Sequence, residues 1–194
     1  MVQHNNFAVN LYTEETPNPE TMKFVASKLI LPGATADFPS PETADHAPLP
    51  KALFTFPYIK GVFIASNFVT LTKTKEADWK EIIPPMNYFI KTYLDKGLPI
   101  ISNEHHIVDQ KVQENLTEDD IVTKIKQVLE IHVQPIIEMD GGAILYKNFK
   151  KGKLTVTLHG ACSGCPSSMI TLKKGIESIM KRKVPEVKIV EAAE

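Results

Sequence analysis

The chain has 194 residues, enough for one domain or two small ones, and its charge is balanced, with 22 Lys and Arg against 23 Asp and Glu. No basic stretch is interleaved with aromatic residues, and no apolar run reaches the roughly 20 residues that span a bilayer, so neither a nucleic-acid surface nor a membrane anchor is indicated. The first ten residues lack the apolar core of a secretory signal and contain no arginine, which predicts a cytoplasmic chain, most simply a bacterial one.

The start of the chain predicts short strands that are joined by turns and broken by proline. Thr16-Pro17-Asn18-Pro19 predicts a turn, because proline fixes φ and lacks the N–H group that regular pairing needs. Pro32-Gly33 should end the third strand, and a proline-rich loop is expected from there to Pro50. The predicted elements are strands at Phe7–Thr13, Met22–Val25 and Lys28–Leu31, and a short helix at Leu49–Phe54.

A hairpin and a long helix are predicted next. Gly61–Ala65 and Phe68–Thr72 predict paired strands, with Ser66-Asn67 as the two-residue turn. Asp78 is suited to cap the helix that follows, but Pro84-Pro85 fits only a first helical turn, so we place the helix start near Ile83. No catalytic constellation is evident in this half, and strands joined by hairpins with one long helix predict an antiparallel α+β layer.

The second half predicts a smaller α-β-β-α-β unit. Thr117 caps a helix whose first turn is acidic, and Pro135 should end or kink it. Asp140-Gly141-Gly142 is a stop-and-turn signal. Residues at helical spacing place His132 on the apolar face, where a packed core histidine is expected. The apolar face comprises Ile121, Ile125, Val128, Leu129 and His132, and the later elements are a hairpin of Ala143–Phe149 with Lys153–Leu158, a helix from Ser167 onward and a strand at Val187–Val190.

The sequence therefore predicts two small α+β domains that are joined by a linker. Residues 100–116 are polar and show no regular period, which is typical of a tether. We assign residues 1–99 to a mainly antiparallel first domain and residues 117–194 to the second.

The two cysteines of the chain, Cys162 and Cys165, form a CxxC motif between a predicted strand and a predicted helix. Two thiolates at this spacing can bind one soft metal centre, because a short turn directs both sulfurs to one side. A zinc ion or an iron–sulfur cluster normally takes four protein ligands, and one chain supplies only two. Pro166 suits the first helical position, so both thiolates would lie near a helix N-terminus that favours anions. We expect a site that two chains share.

Three kinds of site remain open from the residues alone. The first is an iron–sulfur cluster at a dimer interface, held by two ligands from each chain and therefore easily released as cargo. The second is a thioredoxin-like dithiol, although the motif follows a hairpin instead of opening a βαβ unit. The third is a structural zinc ion between two chains.

Motifs in both halves carry a family resemblance. The C-terminal part, with Asp140-Gly141-Gly142, the segment from Gly160 to Ser168 and Leu172-Lys173, closely resembles the C-terminal domain of NifU-like proteins. The first half resembles the N-terminal domain of Nfu-type scaffolds. Its motifs are Thr16-Pro17-Asn18-Pro19, Lys23-Phe24, Asp37-Phe38-Pro39, Gly61-Val62, Thr70-Leu71-Thr72-Lys73, Asp78-Trp79 and Gly97-Leu98-Pro99.

The resemblance covers nearly the whole chain and implies a non-enzymatic iron–sulfur cluster scaffold or carrier. Such proteins hold a [4Fe–4S] cluster between two chains through the CxxC cysteines, which implies a homodimer with Cys162 and Cys165 as ligands. A [2Fe–2S] cluster and zinc are the alternative cargoes. The expected partners are an upstream assembly scaffold as donor and apo iron–sulfur proteins as recipients. No cysteine-rich middle domain is present, which favours late delivery over primary assembly.

Overall fold

A computed structural model of the chain describes residues 8–102, 108–109, 120–163 and 166–193, with the backbone alone for 108–109 and 166–172. The chain divides into two compact units, Met1–Gln110 and Lys111–Glu194. No helix in the described ranges is long and apolar enough to cross a membrane. The predicted α+β class, with two small units, is confirmed.

The first unit is a six-stranded sheet with all strand pairs antiparallel, in the order β1-β2-β5-β4-β3-β6. The longer helix, α2, packs on this sheet through four buried residues spaced four apart, Ile82, Met86, Ile90 and Leu94. The bounds are β1 Leu11–Glu15, β2 Thr21–Ala26, β3 Leu31–Phe38, α1 Pro48–Leu53, β4 Ile59–Ser66, β5 Phe68–Lys73, α2 Trp79–Asp95 and β6 Val108–Asp109, with a 3-10 turn at Pro41–Ala44.

The first unit extends into the segment that we predicted as linker. The amide of Leu49 donates to the carbonyl of Ile100 at 3.2 Å, Ile101 packs against the apolar core, and β6 pairs with β3. The described residues of this segment therefore contribute to the first unit.

The third strand differs from the prediction. We expected a strand at Lys28–Leu31 that ended at Pro32-Gly33, but β3 begins at Leu31 and continues to Phe38. The pairing of β3 with β4 shifts register between Leu31 and Thr35, and Gly33 has φ +67°. Glycine adopts this conformation at no steric cost, so the strand passes the proline as a bulge instead of stopping there.

The start of α2 also differs from the prediction. Asp78 caps the helix as expected, since its side chain accepts a hydrogen bond from the amide of Lys80 at 3.0 Å. The helix nevertheless begins at Trp79, so Pro84 and Pro85 lie inside it and our shifted start near Ile83 is wrong. Both prolines are exposed. Burial of the opposite face holds the helix together, although each proline removes one backbone hydrogen bond.

The second unit has the predicted order of helix, two strands, helix and strand. The strands β7 and β8 are antiparallel, whereas β8 and β9 are parallel, so the helix α5 between them is the crossover connection. The hairpin turns at Lys151-Gly152, both with positive φ. The bounds are α3 Asp120–Val128, a π-helical turn Leu129–Val133, α4 Gln134–Met139, β7 Gly142–Lys150, β8 Lys153–Gly160, α5 Pro166–Lys183 and β9 Ile189–Ala192.

The π-helical turn corrects the prediction for His132. A π turn adds one residue and rotates everything after it, so the buried face passes from Leu129 to Val133 and Ile137. His132 is exposed, not packed in the core. The predicted interruption near Pro135 takes the form of this π turn, which ends at Val133, and the proline is the second residue of α4.

Candidate metal centre

Cys162, the first cysteine of the CxxC motif, directly follows β8 in the segment that leads to α5. The strand ends at Gly160, which has φ +65°, and the amide of Ser163 donates back to the Gly160 carbonyl at 3.0 Å. The helix α5 begins at Pro166, as predicted. Cys162 thus lies in a tight turn between a strand and a helix, while Cys165 lies outside the described residues.

Two glycines of the Asp140-Gly141-Gly142 motif lie directly beside this turn. The amide of Ala161 donates to the Gly141 carbonyl at 3.2 Å, and Gly142 is the register partner of Gly160 at the end of the hairpin. Gly141 has φ +81°, a left-handed conformation that allows the chain to leave α4 and enter β7 at this point. Two glycine-rich segments that are about 20 residues apart in sequence are therefore adjacent in the fold.

The Cys162 side chain is buried, with 4% of its surface exposed, and belongs to the apolar core of the second unit. Gly142 makes this placement possible. A β-carbon built on Gly142 would lie 2.9 Å from the Cys162 Sγ and 2.5 Å from the His159 carbonyl oxygen, closer than real β-carbons approach other atoms. The thiol therefore occupies space that any side chain at position 142 would need.

A buried amide side chain supports the strand that carries Gly142. Gln134 is 7% exposed; its Oε1 accepts a hydrogen bond from the Ile144 amide at 3.1 Å, and its Nε2 donates to Glu138 Oε1 at 2.8 Å. Among the described residues β7 is an edge strand, so its outward N–H groups face no other described strand, and Gln134 satisfies one of them. Gln134 was not predicted as a supporting residue; a glutamine followed by proline within an apolar helical face was the available signal.

A carboxylate connects the helix that follows the cysteines to the last strand. Glu177 on α5 accepts a hydrogen bond from the Val190 amide of β9 at 3.2 Å. Its hydrogen bond and ion pair with Lys181, together with that amide, lower the pKa of Glu177 below its usual value. This contact connects the C-terminal half of α5 to β9.

Within the described ranges, no group of three or more His, Cys, Asp or Glu side chains is arranged to hold a metal ion. Among the described residues, Cys162 supplies a thiol, whose thiolate suits a soft metal or a cluster. The Cys162 sulfur thus fits a thiolate site, but the described residues of one chain do not supply the four ligands that such a site normally needs.

The fold and the site define a class of domain, an α-β-β-α-β unit in which a cysteine lies between the strand β8 and the helix α5. Residues 125–191 match the family model described as NifU-like domain, and residues 11–97 match the model described as scaffold protein Nfu/NifU N terminal. Both halves were thus correctly predicted from their motifs. The chain belongs to the Nfu family of iron–sulfur cluster scaffold proteins.

Individual relatives agree with this assignment. The chain is 37% identical over 182 residues to a human protein named NFU1 iron-sulfur cluster scaffold homolog, mitochondrial, covering 93% of this chain and 70% of the human protein. A Drosophila sechellia protein of the same name is 36% identical, and the match covers 64% of its length. The chain thus spans about two thirds of the length of these relatives.

Two solved structures are similar to parts of the chain. A NifU-like protein from Saccharomyces cerevisiae is 22% identical, with a TM-score of 0.46, over 54% of this chain and 92% of the yeast chain. A Staphylococcus aureus protein is 19% identical, with a TM-score of 0.37, over 42% of this chain and 98% of its own.

Proposed function

We propose that this chain carries an iron–sulfur cluster, bound between two copies through Cys162 and Cys165, and delivers it to apo-proteins. The observation that supports this most is the place of Cys162 in a strand-to-helix turn of a chain that has two cysteines in all. Four thiolates are the usual ligand set of a cluster, so a second copy is needed to complete it. The family name of the relatives gives independent support.

A [4Fe–4S] cluster is the cargo that we propose, with a [2Fe–2S] cluster as the alternative. We expect the protein to bind and release its cargo without catalysing a reaction. A site that draws half its ligands from each chain comes apart when the dimer does, which suits transfer. An assembly scaffold upstream would supply the cluster. The cytoplasmic compartment stays a prediction, and fractionation of the native cells is its test.

Anaerobic reconstitution tests the proposal. Loading with iron and sulfide should give a coloured dimer with about four iron and four sulfide per two chains. Cys162→Ser and Cys165→Ser should each abolish loading, because a hydroxyl is a poor substitute for a soft thiolate. Ser163→Ala is the matched control, since it alters an exposed residue of the same turn and leaves both sulfurs in place. A Cys162→Ser protein that retains a full cluster would contradict the proposal.

The same preparation separates the other two kinds of site. A shared zinc ion would give a colourless dimer whose second unit unfolds when a chelator removes the metal. A dithiol oxidoreductase would reduce a disulfide substrate as a metal-free monomer. Transfer is then measured by adding the loaded dimer to an apo-enzyme that needs a [4Fe–4S] cluster and following recovery of its activity.

A further inference from the structure

We propose that Gly142 is a positioning residue for Cys162: its missing side chain leaves the niche that holds the thiol beside the end of the hairpin. The inference rests on the proposed function in assigning the thiol a ligand role. The position of the thiol can, however, be tested without any metal.

The backbone of the Gly141-Gly142 corner borders the niche on one side. Gly142 opens β7 opposite Gly160, and Cys162 follows two residues later, with the Ala161 amide held on the Gly141 carbonyl at 3.2 Å. This hydrogen bond fixes the backbone of the turn against the backbone of the Gly141-Gly142 corner. Because both backbone segments are held in place, the Cys162 Sγ can occupy its position only if position 142 carries no side chain.

The available volume is small. A β-carbon on Gly142 would lie 2.9 Å from Sγ and 3.3 Å from the Cys162 β-carbon. The sulfur ends a short side chain and can move, whereas the His159 carbonyl, 2.5 Å from the same β-carbon, belongs to the backbone. An added methyl group must therefore displace the thiol from its niche and strain the strand pair as well.

The effect on the cluster follows from geometry. A cluster needs all its thiolates within bonding distance at once, and a metal site loses affinity when a ligand is displaced even slightly. Gly142→Ala should leave both cysteines present and still impair retention of the cluster. Gly175→Ala is the matched control, because Gly175 is exposed on α5 and a β-carbon there meets nothing within 4 Å.

The first experiment measures alkylation of Cys162 by iodoacetamide in the metal-free Cys165→Ser protein. Burial should slow alkylation at least about tenfold relative to the urea-unfolded chain. Adding Gly142→Ala should remove most of this protection, and adding Gly175→Ala should not. Hydrogen exchange, measured in parallel, should show the β7 and β8 amides exchanging faster than in the wild type but still far slower than in the unfolded chain, since the thiol moves without global unfolding. An unchanged alkylation rate would overturn the proposal.

A second measurement separates the sulfur contact from the carbonyl contact. Hydrogen exchange of β7 and β8 is compared in the wild type, Gly142→Ala, Cys162→Ala and the double variant. Because the His159 carbonyl remains in every protein, Gly142→Ala should accelerate exchange less in the Cys162→Ala background than in the wild type. Equal acceleration in both backgrounds would mean that the glycine serves only the strand pair, and the proposal would be wrong. If Gly142→Ala does not fold, a double variant that also fails to fold would lead to the same conclusion.

Reconstitution completes the test. We expect Gly142→Ala to lose its cluster at least about tenfold faster than Gly175→Ala under a chelator, as ligand-support changes commonly cost 10- to 100-fold in metal affinity. Equal retention in a variant with a displaced thiol would contradict the ligand role of that position. If the wild type takes up no cluster, the proposed function fails, while alkylation and exchange still decide the role of Gly142.

Discussion

Replacing Gln134 by alanine should selectively weaken the second unit. The Ile144 amide that donates to Gln134 Oε1 is buried, and it points away from β8 at the edge of the sheet. Loss of the acceptor leaves that N–H without the partner that Gln134 provides, which costs about 1–3 kcal/mol. The higher helix propensity of alanine offsets a few tenths of a kcal/mol at most. The expected free energy of unfolding of the second unit therefore falls by about 1–3 kcal/mol.

Hydrogen exchange of the Ile144 amide is the direct assay, because it reports on the same N–H group. If exchange follows unfolding of the unit, 1–3 kcal/mol corresponds to a roughly 5- to 150-fold faster rate. Gln127→Ala is the matched control, since Gln127 is exposed on α3 and its loss should change stability by no more than about 0.5 kcal/mol. Equal protection of the Ile144 amide in Gln134→Ala and Gln127→Ala would refute the reasoning.

Three further predictions concern acid stability and the backbone. Glu177→Gln should destabilise the second unit at neutral pH, and the difference from the wild type should vanish in acid. The pKa of Glu177 is lowered in the folded state, so the ionised carboxylate stabilises the fold above the usual pKa of 4.5, and this stabilisation is lost as the pH falls through the folded pKa. Urea titrations from pH 7 to 3 measure the difference. Pro85→Ala should stabilise the first unit by about 1–3 kcal/mol by restoring a helical N–H donor, measured by urea unfolding with the fluorescence of the single tryptophan, Trp79. Gly33→Ala should cost the first unit roughly 1–2 kcal/mol in the same assay, because its β-carbon meets no neighbour and only φ is unfavourable.

Local signals predicted the parts of the fold that local chemistry decides. The hairpin of β4 and β5 forms around Ser66-Asn67 as expected, with Ser66 at φ +45°, and Asp78 caps its helix. The alternation of Leu154, Val156 and Leu158 predicts one shared face of β8, and Leu154 and Val156 are buried while Leu158 packs against the same core. In each case the deciding interaction lies within a few residues of the signal.

The errors arose where contacts distant in sequence outweigh a local rule. Proline predicts a helix start at Ile83, but the buried face of α2 holds the helix across two prolines. Pro32-Gly33 predicts a strand end, but pairing with β4 carries β3 past it as a bulge. His132 fits a 3.6-residue period, and one extra residue in the π turn moves it to the surface. The strand β4 that pairs with β3 and the sheet that α2 covers both lie outside the short segments from which these predictions were made.

The cysteine site shows the same division between local and distant information. CxxC ahead of Pro166 predicts the turn and the helix start, whereas the neighbour of the thiol, Gly142, comes from a segment that the sequence marks only as a stop signal. Under the proposed function, the sharing of ligands between two chains has a consequence for transfer. A site with two ligands per chain binds its cargo in proportion to dimer formation, so occupancy depends on chain concentration. A recipient that offers more of the ligands from one chain does not pay this association cost, and the cluster should pass to it. Under the proposed function, a site that takes two ligands from each of two chains would therefore be better suited to delivery than to storage.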